Sequence, residues 1–507
     1  MVASGIFLSR IFGLIRDRIL AHYLGNSDAN DAFRAAFRIQ NFLQNMFGEG
    51  VLSASFIPVY ARLNANGEKE TATEVAEAVF SILFLVTSVI VFAGIVAAPW
   101  LIDVIAPGFS GPKRLLTIQL IRILFPGAAL LVLSAWCLGI LNSHRKFFLS
   151  YAAPVVWNLA IITALIWKGN TGTKFHLAAI VAEASVAGSA LQFLLQLPTT
   201  LKFLRPLRKL KTLRSSHVNV VIKNFFPVFV SRGVVQISAF VDTWLASFLP
   251  TGAVSALAYS QTLSALPVSL FGMSVSAAEL PAMSSELGAP EEIATALRSR
   301  LQRGLQQIAY FVVPSVIGFV CLGDVIVAAI YRTGAFNAHD VTYVWIVLAG
   351  AGIGLLASTS GRLYSSAFYA LRDTRTPLKF AIIRVSLTLI LGYLCALKLP
   401  PFLHIDHRWG VAGLTASAGV AGWLEFVLLR REMHIRIGVV PYSLSRLLML
   451  WLAAIAAAAV GFTIKVTLPF HSPILVGACV LMPYGAIYLL LTWRIGAENI
   501  RGLRKTK

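Results

Sequence analysis

The sequence predicts an all-α polytopic membrane protein. About fourteen transmembrane helices are expected, as two pseudo-symmetric six-helix lobes plus two C-terminal helices. Three observations carry this. The 507 residues are 57% hydrophobic, with a mean hydropathy of +0.76. Only 13% are charged, against about 25% in soluble domains, which leaves no room for a large soluble domain. Apolar stretches of the ~20 residues that cross a bilayer recur along the whole chain, and basic residues concentrate in alternate connections between them.

Taken in order, spans are predicted at 2–24, 29–62, 75–105, 115–142, 150–168 and 176–200, forming a first lobe over residues 1–200. A basic cytoplasmic linker, 201–218, follows. Spans at 219–249, 252–285, 296–322, 340–370, 376–398 and 408–430 form a second lobe over 219–430. Spans at 443–465 and 473–495 and a basic tail fill 431–507. The first span begins at Met1, and no cleavable signal peptide is expected.

Loop charge orients these spans. HRK (144–146), KFLRPLRKLKTLR (202–214), RDTR (372–375), RREMHIR (430–436) and the tail RGLRKTK are basic, whereas intervening loops such as GNSDAN (25–30) are not. The basic set belongs in the cytoplasm. Both termini are then cytoplasmic, as an even number of spans requires. The net charge of +21 is explained by topology and anionic-lipid contact, not nucleic acid. Cys137, Cys321, Cys395 and Cys479 each stand alone in apolar sequence, which points to packing and not to a disulfide or metal site.

The chain also repeats weakly. Ser53-Ala54-Ser55-Phe56-Ile57-Pro58 matches Ser276-Ala277-Ala278-Glu279-Leu280-Pro281, and Asp17 before His22-Tyr23-Leu24-Gly25 matches Asp242 before Ser247-Phe248-Leu249-Pro250. Six spans separate the copies, so orientation is preserved. That is the signature of parallel repeats about an axis along the membrane normal.

The chemistry concentrates in the first two spans. Asp31, Arg34, Arg38, Asn41, Asn45 and Glu49 recur at steps of three or four and share one helix face, while Phe33, Phe37, Leu43 and Phe47 lie opposite. Span 1 adds Arg10, Arg16 and Asp17; Arg18 lies nearer the outer end and is read as snorkelling. Charges at bilayer depth face a partner, a wet cavity or a substrate path. A planar guanidinium grips phosphate oxygens bidentately and stays charged, so the pattern points to an anion site. Arg232 and Asp242 in span 7, Arg362 in span 10 and Arg384 in span 11 are further candidates. Structural ion pairing is the alternative for each. The intramembrane carboxylates Asp17, Asp31, Glu49, Glu183, Asp242 and Glu279 keep a proton-coupled cation antiporter open as a rival. No enzyme motif is present. His404-Ile405-Asp406-His407 reads as an ordinary external polar loop.

SRIFGLIRD (9–17), DAFRAAF (31–37), FGEGVLSASFIPV (47–59), APWLIDVIAPGF (98–109) and FYALRDTRTPLK (368–379) resemble the MurJ (MviN) family, lipid II flippases of the multidrug/oligosaccharidyl-lipid/polysaccharide exporter superfamily. The resemblance covers essentially the whole chain. It implies fourteen helices, a hydrophobic groove formed with spans 13 and 14, and a transporter without enzymatic activity, cofactor or metal. It implies movement of undecaprenyl-diphosphate-linked MurNAc-pentapeptide-GlcNAc across the bacterial cytoplasmic membrane for peptidoglycan synthesis. Expected partners are lipid II, membrane lipids and other cell-wall synthesis proteins. Arg10 and Arg16 match the family's functional arginines of span 1; Asp17, Asp31 and Glu49 match acidic positions; Arg362 matches a basic position of span 10. Two family arginines fall on Gln44 and Thr262, and Arg34, Arg38 and Arg232 are the expected replacements. Polar positions of span 11 fall near Thr388 and Gly392, which bears on ion coupling, for which Asp242 is the candidate. A divergent flippase for another polyprenyl-diphosphate glycan and a non-transporting scaffold complete the alternatives.

Overall fold

The structure is a computed structural model; it describes residues 2–204, 216–284, 290–441, 443–469 and 472–493. The core of the predicted basic linker and the C-terminal tail fall outside the described residues. The helices are α1 (Val2–Leu24), α2 (Asp28–Phe47), α3 (Glu49–Ser55), α4 (Ile57–Ala65), α5 (Lys69–Ile105), α6 (Gly111–Ser143), α7 (Phe147–Lys168), α8 (Lys174–Leu201), α9 (Ser216–Ser247) and α10 (Ala253–Pro267). They continue with α11 (Ser274–Ser284), α12 (Pro290–Cys321), α13 (Gly323–Tyr331), α14 (Ala338–Ala370), α15 (Arg375–Tyr393), α16 (Leu399–Phe402), α17 (Gly410–Ile437), α18 (Leu444–Thr467) and α19 (Pro473–Leu491).

Ten of the described helical stretches are long and apolar enough to cross a bilayer. With α1, the α2–α4 run, α9 and the α10–α11 run, they account for the fourteen expected spans. Three of those four exceptions have a visible cause. Arg10, Arg16, Asp17 and Arg18 charge α1, Asp28, Asp31, Arg34 and Arg38 charge α2, and a π-helical turn at Val268–Met273 separates α10 from α11. Span 2 is also broken, where one helix is expected over 29–62. Gly48 breaks it at ψ −131°, where an added Cβ would collide with the Gln44 carbonyl. Pro58 then restarts the helix at its first turn, where a missing N–H costs nothing. A second departure is α13, a short helix after span 9 that hydropathy alone does not separate.

By contact the chain forms two compact units: Met1–Ser255 with Thr333–Ala335, and Ala256–Arg332 with Phe336–Lys507. The first is built around α6, which buries most of its length against α2, α5 and α8. Its lipid-facing helix is α5, where Phe84, Leu85, Phe92 and Trp100 are exposed; in a bilayer, apolar side chains are the proper outer surface. An apolar cluster including Tyr60, Trp136, Cys137 and Ile140 closes one end, and Trp136 Nε1 donates to the Ala76 carbonyl at 3.0 Å. At the α6–α7 connection His144 bonds Tyr60 Oη at 3.0 Å and stacks on Phe203 at 4.1 Å. Burial there, with Lys69 adding to it, holds the imidazole below its usual range.

In the second unit, α14 and α17 approach through glycine. A Cβ on Gly354 would lie 2.4 Å from the Gly419 Cα, and one on Gly350 would lie 2.4 Å from Thr415 Oγ1. Without a hydrophobic drive between helices in lipid, such close approach supplies the packing energy. Helix α12 packs on α14 and α18. Pro314 inside α12 lacks an N–H, so the Tyr310 carbonyl one turn earlier has no helical donor. Tyr488 of α19 fills it, donating its hydroxyl to the Tyr310 carbonyl at 2.6 Å, while Tyr484 donates to the Pro314 carbonyl at 2.5 Å. Two hydroxyls thus bolt α19 to a proline kink. At the α14–α15 turn Asp373 takes the Thr376 hydroxyl at 2.6 Å, two backbone N–H groups and the Arg436 guanidinium at 2.7 Å. The Thr376 hydrogen bonds first, then Arg436, hold its carboxyl down at about 2.

Candidate functional site

Two of the described arginines of spans 1 and 2, Arg16 and Arg34, meet on one carboxylate. Asp17 is 2% exposed. Its Oδ1 accepts from Arg16 at 3.1 Å and from Arg34 at 3.3 Å. The geometry follows from helix periods: Arg16 and Asp17 are neighbours on α1, and Arg34 lies on the α2 stripe facing them. Two guanidinium groups, one from each of two helices, thus meet on one buried carboxylate. Arg16 is also held from the side. Its guanidinium carbon lies 5.5 Å from the Phe37 ring centroid and 5.4 Å from that of Trp157. These rings stack on each other, 5.5 Å apart and 5° from parallel. Trp157 in turn donates Nε1 to Ser185 of α8. The fork is therefore fixed in direction before any ligand arrives.

Arg38, one turn further along the stripe, donates to the Thr243 hydroxyl of α9 and lies within electrostatic reach of Asp242. Arg10 is exposed on α1. The side chains of Glu49 and Arg232 lie outside the described residues. Gln44 is half-buried, and Thr262 donates its hydroxyl back to the Ala258 carbonyl of its own helix at 3.1 Å.

Asp31 sits elsewhere. It is fully buried, and its two oxygens accept from Lys113 at 2.7 Å, the backbone N–H groups of Gly252 and Ser255 at 2.8 Å each, and the Ser255 hydroxyl at 2.6 Å. It caps the first turn of α10 across from its own helix. Lys113 also pairs with Asp28 at 3.0 Å, and Asp28 accepts from Thr251 at 2.9 Å. Nearby, the His22 carbonyl accepts from the Ala335 N–H at 2.7 Å, and His22 Nδ1 bonds Thr333 Oγ1 at 2.7 Å. Gly25, at φ +58°, lets the chain turn against Ala335 where a Cβ would collide.

The first unit also holds polar residues that the sequence pattern did not single out. Ser185, Ser189, Gln192 and Gln196 form a buried stripe on α8. Ser134 of α6 donates to Gln196 Oε1 at 2.7 Å and accepts from Gln192 at 2.9 Å, and Ser185 reaches Gln40 at 3.4 Å. Their spacing of three and four was readable, but being uncharged they did not stand out among apolar residues. Lys113 was hidden because it lies at a helix start, next to Gly111 and Pro112.

In the second unit Arg362 of α14 is exposed, and its side chain makes no hydrogen bond or ion pair among the described residues. Arg384 of α15 lies 3.0 Å from Glu425 of α17. Among the described residues no group of three or more His, Cys, Asp or Glu could hold a metal.

Comparison with known proteins agrees with this architecture. The family model described as "Lipid II flippase MurJ" matches residues 20–482. The lipid II flippase MurJ of Burkholderia cenocepacia is 32% identical over 438 residues, 84% of this chain and 81% of that protein. The probable lipid II flippase MurJ of Rhizobium tropici is 30% identical and spans 98% of this chain and 93% of its own. A solved structure titled lipid II flippase MurJ, inward closed conformation, superposes with a TM-score of 0.78 at 24% identity, over 97% of this chain and 99% of that one. An inward-facing multidrug resistance MATE family transporter of the MOP superfamily shares the fold at TM-score 0.65 and 17% identity, over 85% of this chain and 94% of its own. On its sequence match over most of its length, this chain belongs to the lipid II flippase MurJ family.

Proposed function

We propose that this chain is a lipid II flippase, carrying the undecaprenyl-diphosphate-linked peptidoglycan precursor across the bacterial cytoplasmic membrane by alternating access. No covalent chemistry is required, and the protein acts as a transporter. The observation that carries the reading is the pair Arg16 and Arg34 sharing the single carboxylate of Asp17 at bilayer depth. A guanidinium fork aimed in advance suits a diphosphate. Arg10, Arg38, Arg232, Arg362 and Glu49 are further substrate-binding residues in this proposal, and Asp31 fixes the start of α10 against α2. Asp242, close to Arg38, is the candidate for ion coupling. The lobes correspond to 1–200 and 219–430, joined by the basic linker 201–218, with 431–507 adding spans 13 and 14. Both termini face the cytoplasm, and other cell-wall synthesis proteins are expected neighbours.

The cation antiporter reading asks for carboxylates open to protons or cations. Asp17 and Asp31 are instead engaged by Arg16, Arg34 and Lys113, which favours the anion reading. The test is binding of lipid II by the purified full chain. Arg16→Ala should weaken it by roughly 1.5–3 kcal/mol, about tenfold to a hundredfold. Arg16→Lys should recover only part, because an ammonium lacks the planar fork. Unchanged affinity in Arg16→Ala would remove the arginine site from the account.

A further inference from the structure

A second cationic cluster lies in the second unit, remote in sequence from spans 1 and 2. Helices α15 and α17 run antiparallel and carry two ionic rungs. The outer rung is Asp373 with Arg436 at 2.7 Å, at the α14–α15 turn. The inner rung is Arg384 with Glu425 at 3.0 Å, with its charges reversed. On each side eleven residues separate the rungs, 373 to 384 and 425 to 436. That is three helical turns, about 16 Å at 1.5 Å per residue. The outer rung lies at the ends of these two helices, so the inner one lies about three turns inside the span. Leu378, Ile382, Ile383, Leu389 and Ile390 of α15 are exposed around it, as a lipid-facing surface should be.

The two rungs differ in how well they are satisfied. Asp373 and Arg436 are hydrogen-bonded to Thr376 and Glu432 as well as paired. Among the described residues the side chains of the inner rung make no hydrogen bond. Arg384 Nε is buried and has no hydrogen-bond partner, because the Glu425 oxygen 3.0 Å away lies off the direction of the N–H. The side chain of Arg362 of α14, within electrostatic reach of both groups, is exposed and makes no hydrogen bond or ion pair among the described residues. One carboxylate therefore pairs with Arg384 and lies within electrostatic reach of a second guanidinium, inside a span where an unsatisfied donor is costly. Their donors match the several oxygens of a phosphate.

We propose that Arg362 and Arg384 form a binding site for the phosphate of a lipid, with Glu425 as a resident counter-ion that the phosphate displaces. Glu425 holds Arg384 in place while the site is unliganded. The phosphate supplies the oxygens that Glu425 cannot, so Arg384 turns its unsatisfied N–H to the ligand. The cluster carries one more cation than anion, so an arriving anion is favoured. The inference rests on the proposed handling of a diphosphate lipid and adds Arg384 and Glu425 to it. The same chemistry would accept the phosphate of an ordinary anionic phospholipid.

The test is native mass spectrometry of the purified full chain with undecaprenyl diphosphate, and separately with phosphatidylglycerol. Arg362→Gln and Arg384→Gln should each weaken binding about tenfold or more, and Glu425→Gln should tighten it several-fold. The last variant is nearly isosteric and keeps the test open if Arg384→Gln does not fold. Effects confined to undecaprenyl diphosphate identify the carried lipid as the ligand; equal effects on phosphatidylglycerol identify a bilayer lipid; either supports the site. If Arg384→Gln and Glu425→Gln leave both affinities unchanged, the pair is only a structural pin and the inference fails, whatever Arg362→Gln does. Failure of the flippase reading gives a different pattern, in which Arg16→Ala and Arg362→Gln both leave undecaprenyl diphosphate binding unchanged.

Discussion

Asp17 determines what the arginines of the first two spans can do. Left alone, Arg16 and Arg34 would repel each other in a medium that screens little. One buried carboxylate between them holds both forks in place. The aromatic platform of Phe37 and Trp157 adds direction. His144 shows a different use of a polar side chain. It sits outside the spans, stacked on Phe203 and bonded to Tyr60, and its pKa is lowered by burial and by Lys69. The folded chain therefore binds that proton less readily than the unfolded chain. The stability this gives is fully present above the ordinary histidine value of about 6.5 and declines as pH falls through it toward the lower folded value. Thermal unfolding in detergent between pH 7.5 and 5.5 should show a fall that flattens in His144→Gln; equal slopes would count against the assignment. The charged residues were legible because arginine in apolar sequence is conspicuous. What each one touches was not. Asp31 and Asp17 both read as carboxylates of the first two spans, yet one caps α10 and the other joins two arginines.

Helices in this chain are joined by devices that hydropathy cannot reveal. Pro314 opens a gap in the hydrogen-bond ladder of α12, and Tyr488 of α19 fills it from 174 positions further along the chain. Tyr488→Phe should leave the Tyr310 carbonyl without a donor and destabilise the second unit by about 1–3 kcal/mol, read as a lower melting temperature in detergent. An unchanged melting temperature would mean that the carbonyl finds another donor. The number of spans and their order followed from apolar stretches of bilayer length. The internal breaks did not. Gly48, Pro58 and the π-turn at Val268–Met273 interrupt spans 2 and 8, because one glycine or proline in an apolar stretch is equally compatible with a kink, a break or an unbroken helix. The glycines of α14 and α17 were likewise visible as residues but not as partners, since facing helices are set by tertiary packing.

For the whole molecule, the fold class was the most legible feature, because bilayer thickness and backbone satisfaction admit few solutions for so apolar a chain. Orientation rests on loop charge. In a background without native cysteines, Lys146→Cys should resist membrane-impermeant thiol reagents in intact cells, while Thr171→Cys should react; the reverse pattern would invert the topology. Function was legible through the motifs of spans 1 and 2, and the arginine–carboxylate geometry is its proposed physical basis. The departures at Gln44 and Thr262 make the identity of the carried glycan the point on which the account depends. The most direct measurement is rescue of a bacterium depleted of its own lipid II flippase. The account predicts that the wild-type chain restores growth and lipid II translocation, and that Arg16→Ala, inserted to the same level, restores neither. Failure of the wild-type chain despite correct insertion, or full rescue by Arg16→Ala, would contradict it.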